Sequence, residues 1–461
     1  MRIVDEYNKS GFFWLPDNEE VKIPGILSIK DGGKIELEII GDFNDDFLSS
    51  NKIPRIIGHV EKDGLVTLDN CFYTRRNIAF GGISKSNIHA HKALCGAAWL
   101  PNEPVLFNTF SFEVDCLDDW VGISGINVEH DWENKTAKIS YNPPEKIIIT
   151  LDNGMSLEIC FAYTLPGFPT HKEAKVTQRT YFKLDSKELR TLDEYTAIAY
   201  KITNLMCFAM DGIIAMKNVS ATSLAIFDVF SNDEKYIKHI NIFYESISYS
   251  EKESKRNSHD MLFSYWTIKD NAQQVFNKWI NAYELLKPAF NLYFSTKLGA
   301  HKYLENKFLA LAQGLETYHR RTSSETLMTT DAFELLVANV LKSCPKENIE
   351  WLQGRLKNGN EINLGKRLKR IIEPFKQYLG SSSERNKILR KIVDTRNYLT
   401  HYNKDLEVTY AKGKDLLLLC YKMEAIFNLH FLNVLGFTDE EIKKVVSNCY
   451  PLKQKLQLKT L

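Results

Sequence analysis

Arg396, Asn397 and His401 stand close together in the segment SERNKILRKIVDTRNYLTH (residues 383–401), and their side chains suit proton transfer beside an anion. Arginine brings a permanent planar cation with several donors, histidine titrates near neutrality, and asparagine can orient a polar group. An Arg followed by a His four to six residues later is expected about once by chance in this composition, so the spacing alone is weak. Requiring Asn directly after the Arg lowers that expectation to roughly 0.05. At about 100° per residue, Ile388, Leu389, Ile392 and Leu399 form one apolar helix face, and Arg396 projects within it. A guanidinium there must meet a carboxylate, a phosphate or a partner subunit. Asn397 and His401 share another side, and Arg396 and His401 lie roughly 140° apart on an ideal helix. They face one point only if the helix ends early or a second copy completes the site. A structural Arg and a surface His remain the alternative.

The segment lies in a basic stretch. Residues 351–400 hold twelve Lys and Arg against four Asp and Glu, a net +8 in a chain whose total is +1. Lys366, Arg367, Lys369 and Arg370 offer charge without a proton-transfer group, which suits phosphate contact, and a plain solvated face is equally consistent with them. Upstream, Glu316, His319 and Arg320 fall within one helical turn and could support the site or hold its substrate, or form a solvated face with an intrahelical ion pair. HAHKALC places His89, His91 and Cys95 near one another, without a fourth obvious ligand. No metal and no cofactor is expected.

The surrounding pattern changes once along the chain. To about residue 265 it consists of short β-type runs split by turn signals. Ile35, Leu37 and Ile39 alternate with Lys34, Glu36 and Glu38 after a Gly-containing turn, and Asp63-Gly64 and Asn153-Gly154 mark two more hairpins. A largely antiparallel β domain follows, its closure as sandwich or barrel left open. From about residue 270 the period becomes helical. Asp270 can cap a helix carrying Val275, Phe276, Trp279, Ile280 and Tyr283 and ended by Pro288. Leu304, Phe308, Leu311, Leu315 and Tyr318 mark the next helix, and others fit 330–343, 347–357, 364–379, 383–401 and 413–435, with a last one capped at Thr438 by Glu441. The expected fold class is therefore α+β and multidomain: a β-rich region over 1–298, with a helical connector from about 266, then an all-helical region over 299–461.

RNYLTH matches the R-[N/D/H]-x-x-x-H pattern of HEPN ribonucleases. With GHVEKDGLVTLDNCF (58–72) and FLALAQGLETYHRR (308–321), the order of features resembles the ApeA-like HEPN proteins of bacterial anti-phage defence. The resemblance implies a β-rich sensor or regulatory domain before a dimeric HEPN domain that cuts RNA without metal, with Arg396, Asn397 and His401 as the catalytic set. It implies an abortive-infection toxin acting on RNA, with tRNA among the candidate substrates, as a homodimer or higher homo-oligomer under a phage-derived trigger. The residue types fit that chemistry. The ribose 2′-OH would be the nucleophile, His401 would move protons, Arg396 would hold phosphate charge and Asn397 would orient the 2′-OH or the phosphate. DNA lacks that nucleophile. The competing reading is a non-catalytic interaction or nucleotide-binding module beside a ligand-binding β domain. A metal-dependent nuclease is disfavoured because no carboxylate cluster accompanies the basic region.

Composition sets the wider frame. The chain has 461 residues, 44% hydrophobic and 25% charged, which predicts two or three folded domains and no long disordered tail. No apolar leader opens the sequence, the apolar run Leu416 to Leu435 is interrupted by Lys422 and Glu424, and the eight cysteines include no CxxC pair. A cytoplasmic protein with no membrane span is expected.

Overall fold

The alternation of Ile35, Leu37 and Ile39 with polar neighbours builds the expected hairpin: β2 (Asn18–Lys30) pairs antiparallel with β3 (Lys34–Ile40), and the three apolar residues are buried. The same holds at Asp63-Gly64, between β4 (Lys52–Val60) and β5 (Gly64–Asn77). These strands, with β1 (Tyr7–Leu15) and β6 (Lys85–Cys95), run in the order β6-β3-β2-β1-β4-β5 and close into a six-stranded barrel because β5 also pairs with β6. Leu27, Ile56, Val66 and Leu68 fill it. Gly58 on β4 is required there, since a Cβ would meet the buried Phe13 ring at 2.4 Å. Hairpins alone do not reveal closure, which depends on pairing between strands far apart in sequence.

The computed structural model describes residues 1–43, 50–77, 82–168, 172–229, 234–299 and 301–458. The chain divides into two units, Met1–Ile280 and Asn281–Leu461, a division that falls within a helix, whereas the sequence reading puts the boundary at 298, near that helix's end. In the first unit the barrel sheet continues from β6 through β16 (Ile240–Tyr244), β13 (Met216–Thr222), β7 (Leu106–Val114), β12 (Thr177–Thr191), β11 (Ser156–Thr164) and β10 (Ile147–Thr150). Two separate hairpins are β8 (Ile126–Asp131) with β9 (Thr136–Tyr141), and β14 (Phe227–Val229) with β15 (Lys235–Ile237). Asn153-Gly154 joins β10 to β11 as expected.

Besides the short helices α1 (Leu117–Val121) and α3 (Tyr265–Ile268), this unit contains α2 (Leu192–Ala209), inside the region read as β-type. Its start is signalled by a complete Thr191–Glu194 capping box. Twelve of its eighteen residues are buried, so its surface is apolar almost all round and the helical period is blurred. Tyr195 stacks on Phe110 of β7, which ties α2 to the sheet's apolar face.

The second unit is helical. α4 (Ala272–Lys297) does not stop at Pro288, as the sequence predicts, but runs nine residues beyond it. A proline inside a helix costs about 3 kcal/mol. The turns that follow bury Phe290 and Tyr293, whose rings pack on Phe431, and burying such side chains returns roughly 1.5–3 kcal/mol each. Then come α5 (Leu304–Thr322), α6 (Thr330–Lys342), α7 (Ile349–Leu356), α8 (Leu364–Ile372), α9 (Ser382–His401), α10 (Gly413–Leu435), α11 (Asp439–Asn448) and α12 (Tyr450–Gln457). The expected helix over 364–379 is α only to Ile372 and then tightens to 3₁₀ geometry at Glu373-Pro374; α12 was not anticipated. α10 is the central element, with sixteen buried residues that include Lys422 and Glu424. Lys422 donates to the Leu456 carbonyl, and Glu424 meets Lys297, Lys307 and Lys455. Among the described residues, no helix is long and apolar enough to cross a membrane.

Candidate active site

α9 carries the motif. Ser381 caps it and exchanges bonds with Glu384, so the helix is fixed at its start. It buries Ile388, Ile392, Thr395 and Leu399, with Leu389 only half-covered. Thr395 is fully buried and its hydroxyl accepts from the Ala411 amide at 2.9 Å, which docks the loop after α9. Arg396 follows at the edge of this face, with a third of its side chain exposed. The helix ends at His401, and Tyr402 closes it in the left-handed region at φ 50°, donating its N–H to the Tyr398 carbonyl at 2.6 Å.

The carboxylate that Arg396 demands is Glu316 of α5, at 3.6 Å. Arg396 also donates to the Asn397 side-chain oxygen at 3.1 Å, so the two motif residues brace each other. Glu316 is shared: its other oxygen accepts from Arg320 at 3.0 and 3.2 Å. Arg320 continues to Glu361, which also pairs with Arg367 of α8 at 3.2 Å. Arg367 in turn donates to Nδ1 of His319 at 3.3 Å. Burial, with the Arg367 guanidinium beside it, pushes the His319 pKa down, consistent with a neutral ring accepting at Nδ1. An ion-pair chain thus links Arg396, Glu316, Arg320, Glu361, Arg367 and His319 across α9, α5 and α8.

Of Glu316, His319 and Arg320, Glu316 meets the motif directly, Arg320 joins it through Glu316, and His319 lies at the far end of the ion-pair chain, while the basic quartet is divided. Lys366 and Lys369 are exposed, as phosphate contact requires. Arg370 is exposed but forms a two-pronged pair with Glu325. Arg367, expected at the phosphate surface, is instead 4% exposed and belongs to the internal network. The reason was present in the sequence. Arg367 is three residues after Leu364 and four before Ile371, both buried, so it falls on the apolar face of α8.

His401 is exposed at the last helical position. Since α9 is helical through that residue, Arg396 and His401 leave it about 140° apart. Beside His401, Tyr398 stacks face to face on Tyr410 at 3.7 Å and meets Tyr402 edge-on at 5.7 Å. Tyr402 is 70% exposed. Sequence reasoning overlooked this aromatic set and Glu361; the tyrosines at 398 and 402 are one helical turn apart, which was the available signal.

Residues 8–279 match the family described as ApeA N-terminal domain 1, and residues 309–441 match Apea-like HEPN. The chain belongs to the ApeA-like HEPN family. Comparison with curated proteins and with solved structures gives no match. The HEPN match takes in α9 with Arg396, Asn397 and His401, and it also takes in the α5 residues Glu316, His319 and Arg320. His89 and His91, the other cluster weighed in the sequence, lie on β6 with Phe72 between 5.0 and 5.8 Å from their rings, and Cys95 is buried against the Tyr7 hydroxyl. Among the described residues, no three His, Cys, Asp or Glu side chains group to hold a metal ion.

Proposed function

We propose that the helical unit is a metal-independent endoribonuclease that acts in anti-phage defence, with Arg396, Asn397 and His401 as its active site. The observation that carries this reading is the braced Arg396–Asn397 pair on the same helix that ends in an exposed imidazole. A guanidinium held by one loose carboxylate contact at 3.6 Å keeps donors for a phosphate oxygen. The imidazole would take a proton from the ribose 2′-OH, the resulting oxygen would attack the phosphorus, and the P–O5′ bond would break as an imidazolium returns a proton to the leaving 5′-oxygen. Its products are a 2′,3′-cyclic phosphate and a 5′-hydroxyl. Because the two groups diverge on one helix, the site would be completed by a second copy of the chain, so a homodimer is part of the proposal. Tyr402, adjacent in sequence to His401 and exposed, would stack on a base flanking the cut. The substrate would be RNA, tRNA among the candidates, and the β-rich unit would restrain the nuclease until a phage-derived trigger engages it.

The Arg396–Glu316 pair also favours a second reading. In it Arg396 is structural, His401 is a surface residue, and the helical unit serves assembly or nucleotide binding. Incubation of the purified chain with total cellular RNA, followed by mapping of cut ends, separates the two. Discrete cuts that disappear in Arg396→Ala support the nuclease, and intact RNA in the presence of phage extract supports the assembly module.

A further inference from the structure

A cleft of about 860 Å³ opens on the polar face of β12, β7, β13 and β16 in the first unit. Small-molecule sites fall between roughly 300 and 1,000 Å³. The sheet beneath it is two-faced: Phe110, Phe112, Phe182, Leu184 and Ile240 are buried on the opposite side. Toward the cleft, cross-strand register aligns Lys183, Ser111, Ser220 and Asn241 in one row over four neighbouring strands. A second row aligns Asp185, Thr109 and Thr222, and its two threonine hydroxyls bond each other at 2.6 Å.

The two rows differ in how their polar groups are used. Thr109 and Thr222 are mutually satisfied. Ser111, Ser220 and Asn241 make no side-chain hydrogen bond among the described residues, although they are neighbours in register. The cleft's charged side chains are largely spent on one another, Arg179 pairing with Glu113 at 2.8 Å and Lys183 with Asp185 at 3.2 Å, which leaves the hydroxyl and amide row open between them.

Backbone irregularities feed the same cleft. Between Lys217 and Ser220, β13 has one residue more than β7 opposite it, and the extra turn puts Asn218, a cleft residue, at φ 50°. On the other side of β7, β12 has three extra residues between Asp185 and Arg190, which bring Ser186 and Lys187 into the lining. Bulges re-aim side chains, and non-glycine left-handed positions persist where surrounding structure holds them.

The charges and the apolar wall indicate the ligand class. Lys183 is shared between Glu158 and Asp185, while Lys187 is exposed and makes no ion pair among the described residues. Leu224 and Ile237 line the cleft and are 66% and 44% exposed, so they offer an apolar surface to a ring. A row of hydroxyl and amide donors and acceptors suits a ribose diol, the lysine a phosphate, and the aliphatic pair a base. We propose that this cleft is a ribonucleotide-binding site of the N-terminal unit, with Ser111, Ser220 and Asn241 reading the sugar and Lys187 the phosphate. It does not depend on the nuclease reading.

The test is calorimetric titration of the full chain with each of the four ribonucleoside 5′-monophosphates, with ribose and inorganic phosphate as single-moiety probes. At least one nucleotide should bind saturably and more tightly than either fragment. Ser220→Leu, which fills the row, and Lys187→Glu, which reverses the charge, should each weaken it by about tenfold or more, a loss of about 1.4 kcal/mol. Both positions line the open cleft, and an unchanged circular dichroism spectrum checks the fold. Because a hydroxyl variant can disturb the sheet, Asn241→Ala on the neighbouring strand gives a second reading and should weaken binding in the same direction. Absence of saturable binding by all four nucleotides, equal binding of inorganic phosphate, or full affinity in Lys187→Glu and Asn241→Ala would overturn the assignment.

Discussion

Replacing Glu424 by Gln should loosen the helical unit by about 3 kcal/mol. Glu424 is 2% exposed in the middle of α10 and meets Lys297 at 3.3 Å, Lys307 at 2.7 Å and Lys455 at 3.2 Å, residues that belong to α4, α5 and α12. Burial alone would raise its pKa, but the three ammonium groups outweigh burial and hold the carboxyl down at about 2, against 4.5 for the free group. At 1.36 kcal/mol per pKa unit, that difference corresponds to about 3 kcal/mol in favour of the folded, ionised form. Truncating one side of a buried ion pair typically costs a similar 3–5 kcal/mol. The lysines keep 14–23% of their side chains exposed, so some of their charge is relieved by water and the lower end of that range applies. Hydrogen exchange of α10 peptides reads the effect directly: protection should fall about a hundredfold at neutral pH. The sign with pH follows from the depressed folded pKa. The contribution is complete above about 4.5 and is lost as pH falls through about 2. The wild type should therefore lose protection over that window and the Gln variant should lose less. Protection within about threefold of wild type in Glu424→Gln at pH 7 would refute the reasoning and leave the lysines as solvated surface groups.

Reversing Lys366 and Lys369 to Glu should weaken RNA binding and reduce the salt slope of the association constant by about 2, measured by titration at several salt concentrations. Arg367→Glu behaves differently: with its guanidinium buried against Glu361 and His319, it should destabilise the helical unit by about 3–5 kcal/mol in denaturant unfolding before any effect on RNA can be assigned. Glu316→Gln should keep the fold and lower the cleavage rate about tenfold or more, because Arg396 loses the carboxylate that orients it; single-turnover kinetics check this, and an unchanged rate would separate the network from catalysis. Tyr402→Ala should raise KM for RNA with little change in kcat, and Tyr402→Trp should restore it.

Much of this was legible because local periodicity survives folding. The hairpins at Gly33, Gly64 and Gly154 follow from turn chemistry, and the helix starts at Ser382 and Asp439 from the capping boxes at Ser381 and Thr438. What escaped depends on partners distant in sequence. Barrel closure needs Val66 against Cys95, the continuation through Pro288 needs Phe431 of α10, and α2 is too apolar to show a face. At the candidate site, the demand of Arg396 for a carboxylate could be read from its helix face, but not that Glu316 would meet it from 80 residues upstream. Arg367 was grouped with its basic neighbours by charge, although its spacing from Leu364 and Ile371 already put it inside.

The central claim is that His401 and Arg396 cut RNA through the internal 2′-OH. End-group analysis of RNA cleaved by the trigger-activated protein in excess chelator tests it most directly, run beside His401→Ala, Arg396→Ala and an equimolar mixture of the two variants. The account predicts 2′,3′-cyclic phosphate and 5′-hydroxyl ends from the wild type without metal, no cuts from either variant alone, and partial recovery in the mixture, where one copy supplies the imidazole and the other the guanidinium. Loss of wild-type cleavage in chelator, or the same cuts from His401→Ala alone, would contradict it.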